Sequence, residues 1–153
     1  MLRVAYGAAS VVFTGDVERP GELEMLAGAL PTTDRCVTNA APAPDLASIV
    51  LKVAHHGSAT SSSAPLLQAV APRLAVISAG AENRFGFPAP VVLQRLRDAG
   101  ADVWRTDEDG AVRLVSDGAR LVVSAPRGAR PSRVLALTRD VDPARFEFPT
   151  SLW

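Results

Sequence analysis

Cysteine is nearly absent. The single Cys36 allows no internal disulfide and no thiolate cluster for a metal. It stands in the polar stretch 31–45, where a surface thiol is expected rather than a nucleophile. An excess of charge of either sign is also missing, since sixteen Lys and Arg balance sixteen Asp and Glu. The fold as a whole therefore exerts no strong pull on nucleic acid or anionic membrane, although a local basic patch is compatible with that balance. No apolar run approaches the roughly 20 residues of a membrane-crossing helix. The opening MLRVAYGAASVVF is broken by Tyr6, Gly7 and Ser10 and reads as two strands, not a signal peptide. The expectation is a soluble chain without a secretion signal. Histidine is scarce as well: there are two in 153 residues, and they are adjacent.

What is present is ordinary for one globular domain, 48% hydrophobic and 21% charged, which excludes general disorder. Residues 2–6 and 10–14 are β-rich runs around Gly7-Ala8-Ala9, a hairpin signal. Pro20 opens a helix whose expected apolar face is Leu23, Leu26, Ala27 and Leu30, with Pro31 as its stop. Residues 48–54 (SIVLKVA) and 74–78 (LAVIS) are near-continuous apolar runs, the mark of central strands. Ser61-Ser62-Ser63 offers an N-cap for a helix to about Val70, and Pro90 opens another with Val92, Leu93 and Leu96 inward and Gly100 at its end. Short strands follow at 102–106, 111–116 and 121–124, with Asp109-Gly110 and Asp117-Gly118 as turns. The order β-β-α-β-α-β-α-β-β-β predicts an α/β layer on a mixed sheet. Residues 125–153, rich in Pro, Gly and Arg and then aperiodic, read as a mobile or weakly docked tail.

Three apolar strands end in polar loops: VVFTGD, LKVAHHGS and LAVIS before NRFGFP. Ligands gather at the carboxyl ends of such strands. Asp16 is either a turn residue or a carboxylate fixed at the sheet rim for a metal. For His55 and His56 at a strand end, side-chain alternation predicts that one lines a pocket while the other supports it. Ser58 beside His55 suggests a serine nucleophile only weakly, because no G-x-S-x-G elbow is present and capping explains the serines. Asn83 and Arg84 are suited to a phosphate or to a solvated loop. Asp107, Glu108 and Asp109 read as an acidic hairpin turn.

Together, VVFTGDVE, LKVAHHGSATSSS, LAVIS followed by NRFGFPAPVVLQRL, and VWRTDEDGAV resemble the metallo-β-lactamase-fold domain at the C-terminus of ComEC-type competence proteins, the DNA-uptake channels of transformable bacteria. The likeness covers roughly residues 2–114, and HHGS-x-TSS after a strand is its most specific part. It implies an αβ/βα sandwich holding one or two metal ions, zinc or manganese, and a metal-dependent nuclease or phosphodiesterase that degrades the DNA strand not imported. The parent would lie in the inner membrane with this domain outside the cytoplasm. By position, Asp16 matches a metal-bridging aspartate, and His55 and His56 match the histidine pair of HHGS. Arg84 matches the arginine of the family's asparagine-arginine loop. The site expected from these readings has Asp16 and His55 as metal ligands, both histidines as catalytic, and Ser58, Asn83 and Arg84 as substrate contacts.

Two departures qualify this. The family's main ligand motif, H-x-H-x-D-H, has no counterpart here, and the loop that usually reads R-Y-G-H-P has Phe87 in place of the rim histidine. A catalytic zinc needs about three protein ligands. The expectation is therefore the second half of such a sandwich in residues 1–124, with a mixed sheet and helices on one face, followed by a tail at 125–153. Such a truncated or split copy would bind metal weakly or not at all and be inactive alone. Its uncovered apolar sheet face would favour self-association or a partner chain supplying the first half. Two alternatives stand beside it. One is a non-catalytic binding or scaffold remnant using the sheet face or Arg127, Arg130 and Arg133; the other is a small hydrolase using Ser58 with His55.

Overall fold

The computed structural model describes residues 1–28, 45–126 and 128–137. Cys36, the helix stop at Pro31, nearly all of the 31–45 loop and Arg127 lie outside them. Strands β1 (Leu2–Tyr6) and β2 (Ala9–Phe13) form an antiparallel hairpin. Tyr6 faces Ala9, so Gly7 and Ala8 alone make the turn, with Gly7 at φ 57°. Parallel partners then follow outward: β3 (Val50–Lys52), β4 (Leu74–Ile77) and β5 (Asp102–Arg105). The result is a five-stranded mixed sheet in the order β1-β2-β3-β4-β5.

Helices α1 (Arg19–Leu26), α2 (Ala64–Val70) and α3 (Pro90–Asp98) cover one face of this sheet. Each carries proline in its first turn, where the missing N–H is no loss. Alternation along the strands sends Val12, Leu51, Val53, Ala75 and Ile77 toward Met25, Leu66, Leu67, Val70, Val92 and Leu96, all buried. The strand residues between them point the other way. There Val50, Leu74 and Trp104 meet Leu121, Val123 and Leu135 of a second, antiparallel sheet, β6 (Arg113–Ser116), β7 (Arg120–Ser124) and β8 (Arg133–Ala136). A short helical turn, α4 (Thr106–Asp109), lies between the two sheets in the chain.

The mixed sheet with helices on one face stands as expected, and four details differ. The last strands form a separate sheet, not extensions of the first. The acidic segment 107–109 is helical because Asp109 accepts the Arg105 N–H at 2.9 Å while Arg105 pairs with Asp107 and Glu108. Part of the presumed tail is structural. Strand β8 pairs with β7, Arg130 and Arg133 bind the Asp102 carboxylate at 2.5 and 2.8 Å, and Arg130 lies 4.0 Å from the centre of the Trp104 ring. Finally, α1 buries Glu22 and Met25 while Leu23 is exposed. The Glu22 carboxylate accepts the Ser62 and Ser63 N–H groups at 2.5 and 3.0 Å. It thereby takes the capping role expected of the serine hydroxyls, none of which caps α2.

The uncovered sheet face is smaller than the resemblance implied, because β6–β8 close over its centre. What stays bare is the hairpin: Leu2, Val4, Tyr6 and Phe13 are 60%, 49%, 64% and 43% exposed. Among the described residues no helix is long and apolar enough to cross a membrane.

Candidate functional site

The carboxyl ends of β2, β3 and β4 lie side by side because these strands run parallel in register. After β2 the chain passes Thr14, whose hydroxyl donates to the Lys52 carbonyl at 3.1 Å, and Gly15 at φ 65°, which places Asp16 on the rim. After β3, His55 and His56 adopt left-handed conformations, with φ 46° and 55°. Two consecutive non-glycine residues in that region each cost on the order of 1–2 kcal/mol, so the surroundings must impose the turn. The His55 N–H is held by the Gly15 carbonyl at 3.1 Å, and Gly57, at φ 85°, packs so tightly on Pro88 that a Cβ there would lie 2.6 Å from Pro88 Cβ.

This turn changes where the imidazoles go. Strand alternation would have separated them; instead both line one cavity of about 580 Å³ together with Asp16, Ser78, Ala79, Gly80, Asn83, Phe85 and Phe87. The Nδ1 of His56 is bound to the Ser78 carbonyl at 2.6 Å, which fixes the proton there in the neutral ring. Its Nε2 then carries the lone pair and sits 3.9 Å from Asp16 Oδ1. His55 turns away from Asp16. Its buried Nδ1 comes within 3.3 Å of Glu18 Oε1 without an aligned hydrogen bond, and its ring meets Phe87 edge-on at 5.8 Å. Lys52 approaches Asp16 from the strand below. Burial lowers its pKa, and the Asp16 charge partly restores it.

The third wall is a rigid loop. Asn83 donates its amide to the Gly80 and Phe87 carbonyls at 2.8 and 2.7 Å and accepts the Phe87 N–H at 2.8 Å. Thr106, at the end of β5, clamps Ala79 through both its N–H and its carbonyl at 2.9 and 2.8 Å. Of the residues expected from sequence, Asp16, His55, His56 and Asn83 come together here. Arg84 stands beside the cavity with its guanidinium 5.1 Å from the Phe85 ring centre. Ser58 does not line it. It is buried, with its hydroxyl on Thr60 Oγ1 at 2.9 Å, and Thr60 in turn donates to Glu18 at 3.0 Å. Sequence reasoning missed Glu18, Lys52, Phe85 and the Ser78–Gly80 wall; a carboxylate two residues after Asp16 was the one available signal.

Asp16 and His56 form one edge of a possible cation site. Two donors on a single tetrahedral zinc stand roughly 3.3 Å apart, given bonds of about 2.0–2.1 Å. The observed 3.9 Å is near that bite. His55 faces Glu18 instead, and among the described residues no three His, Cys, Asp or Glu side chains converge on one point. These residues alone do not fit a catalytic metal ion.

Comparison with known proteins adds relatives that match most of this chain. The chain is 39% identical over 114 residues to "Competence protein ComA" of Neisseria gonorrhoeae, a match covering 74% of this chain and 15% of that protein. It is 36% identical over 106 residues to "ComE operon protein 3" of Bacillus subtilis, covering 69% and 12%. To "Recombination protein 2" of Haemophilus influenzae it is 37% identical over 108 residues, covering 71% and 12%. The chain thus spans a small fraction of the length of the curated relatives it matches. No family model and no solved structure matches it.

Proposed function

We propose that the chain is the segment of a ComEC-type DNA-uptake protein that forms one side of a phosphodiester-hydrolysing centre, in the half of a metallo-β-lactamase-like sandwich that carries the TGD and HHGS loops. One observation carries this reading. Asp16 and the two histidines, far apart in sequence, meet at neighbouring strand ends in one cavity. The similarity to proteins named for competence and recombination supports DNA as the substrate.

Within that centre His56, with Nδ1–H fixed on the Ser78 carbonyl, presents Nε2 to take a proton from attacking water or return it to the leaving oxygen. The Ser78 carbonyl orients that imidazole, and Asp16, 3.9 Å from Nε2, favours the imidazolium formed when Nε2 takes the proton and supplies negative charge toward a cation. The remaining donors of a zinc or manganese site would come from outside this set, in the same or another polypeptide. The bare hairpin strip at Leu2, Val4, Tyr6 and Phe13 is the surface against which such a half, or a second copy of this chain, would pack. A non-catalytic binding role is the second reading, favoured by the lack of a third converging ligand among the described residues. The tail arginines serve it poorly, since Arg130 and Arg133 are engaged by Asp102.

The test is a chimera in which this chain replaces the aligned segment of one of those relatives, purified and assayed on labelled single-stranded DNA with manganese or zinc. Degradation is expected, with a loss of about 10²-fold or more in His56→Ala and in Asp16→Asn. Degradation unchanged in both variants rules the cavity out as the reaction centre. A chimera that is folded but inert favours the non-catalytic reading.

A further inference from the structure

The rim loop holds a feature that proton transfer does not use. Phe85 is 64% exposed and stacks on Phe87, with ring centroids 5.7 Å apart and planes 19° from parallel. Both rings line the cavity of Asp16, His55 and His56. Solvent-facing aromatic surface of this kind is normally hidden, and the loop that displays it is held in place by the Asn83 bonds to Gly80 and Phe87, with Gly86 at φ 69° allowing its turn. A ring presented on an already ordered loop binds a planar ligand without first having to be fixed in place. The charge beside it has the matching sign. The Arg84 guanidinium lies 5.1 Å from the centre of the Phe85 ring, and among the described residues no carboxylate forms an ion pair with it. The acidic side chain within the cavity itself, Asp16, belongs to the strand-end wall opposite this loop.

We propose that Phe85 and Phe87 form a stacking platform for an unpaired base of single-stranded DNA, with Arg84 taking a phosphate of the same strand, so that the next phosphodiester is led toward His56 and Asp16. Every base has a π-face, so the contact is indifferent to sequence. A paired base inside a duplex cannot offer that face, so the platform selects single strands. This rests on the reading of the cavity as a DNA-handling site and adds the strandedness and the manner of holding.

Fluorescence anisotropy of the full 153-residue chain tests it without requiring hydrolysis. The probes are a mixed-sequence single-stranded oligonucleotide, an abasic oligonucleotide of equal length and charge, and the corresponding duplex. The base-bearing single strand is expected to bind roughly ten-fold more tightly than the abasic one, and Phe85→Leu should remove that difference. Arg84→Gln should weaken both single strands alike and reduce the salt dependence by about 0.7 in slope. Circular dichroism of each variant establishes that it is folded. Equal affinity for abasic and base-bearing strands, or tighter binding of the duplex, overturns the platform and leaves the DNA reading standing. Absence of binding to all three takes both down.

Discussion

The two faces of the five-stranded sheet carry side chains of the same kind and meet different neighbours. On one, Val12, Leu51, Ala75 and Ile77 are sealed under α1, α2 and α3. On the other, Val50, Leu74 and Trp104 are sealed under β6–β8, but the same face continues through Val11 onto β1, where Leu2, Val4 and Tyr6 stand in solvent. The alternation on β1 matches that of a strand with one side meant to be covered: Arg3, on the helix side, donates to the Ala47 carbonyl and to Ser48, while its neighbours on the opposite side are apolar. Burial here is decided by where the second sheet ends, not by what the strand contains. The site sits at the strand ends beyond both covers.

The largest expected effect separates the covered part of the second face from its bare extension. Trp104→Ala empties a fully buried ring that donates to Asp102 at 3.1 Å and supports Arg130, and should cost about 3–5 kcal/mol in urea unfolding. Tyr6→Ser on the same face, where the ring is 64% exposed at the edge of the second sheet beside Gly118, should cost no more than about 1 kcal/mol. Comparable losses in the two variants would mean that the strip is already covered in solution. The helix-side face gives the next effect. Glu22→Ala frees the Ser62 and Ser63 N–H groups in a buried setting and should cost about 1–3 kcal/mol, read from the same unfolding curves.

Glu22 also marks where the sequence stopped being legible. The central strands were readable because parallel strands buried on both faces are unbroken apolar runs, as in SIVLKVA and LAVIS. Gly7, Pro20, Pro90 and Gly100 marked turn, helix starts and helix end for local reasons. The inward face of α1 was legible only in part: Leu26 packs on the core as expected, but Leu23 is exposed and the anchor is Glu22, whose partners lie about 40 residues later in sequence. Strand β8 was lost in a Pro- and Arg-rich segment, since its only evidence is pairing with β7 and the capture of Arg130 and Arg133 by Asp102. At the site, residue types gave Asp16 and both histidines. Their geometry depended on a left-handed turn that no local pattern announces for His-His. The Phe85–Phe87 pair was visible only as a departure from an expected histidine.

Asp102 tests how firmly the second sheet is tied down. Burial alone would raise its pKa. Hydrogen bonds from Trp104 and Arg133 and the charges of Arg130 and Arg133 outweigh that and hold it below the usual carboxylate range. A carboxylate with a depressed folded pKa stabilises the fold fully above its unfolded value of about 3.9, and that contribution is lost as pH falls through the folded value. Wild-type stability should therefore drop on the acid side of pH 4. Asp102→Asn should be less stable at pH 7, by less than Glu22→Ala, and lose less between pH 4 and pH 2. An acid limb identical to wild type would mean that β8 and its arginines are not held by this carboxylate.

The smallest effect concerns the one residue of the expected site that the structure keeps inside. Ser58 donates its hydroxyl to Thr60, whose own hydroxyl donates to Glu18, the carboxylate nearest His55. It is buried and absent from the cavity wall, so its oxygen is not presented to a substrate held there. Ser58→Ala removes a neutral hydrogen bond to the Thr60 hydroxyl and a long one from the Thr60 N–H, and should cost about 1 kcal/mol. Its effect on activity of the chimera should stay within a few-fold, arising only through Glu18 and the orientation of His55. A fluorophosphonate should leave the wild-type serine unlabelled. Labelling at Ser58, or a loss of activity as large as that of His56→Ala in a protein of undiminished stability, would make the serine the nucleophile and move the reaction off the Asp16 edge.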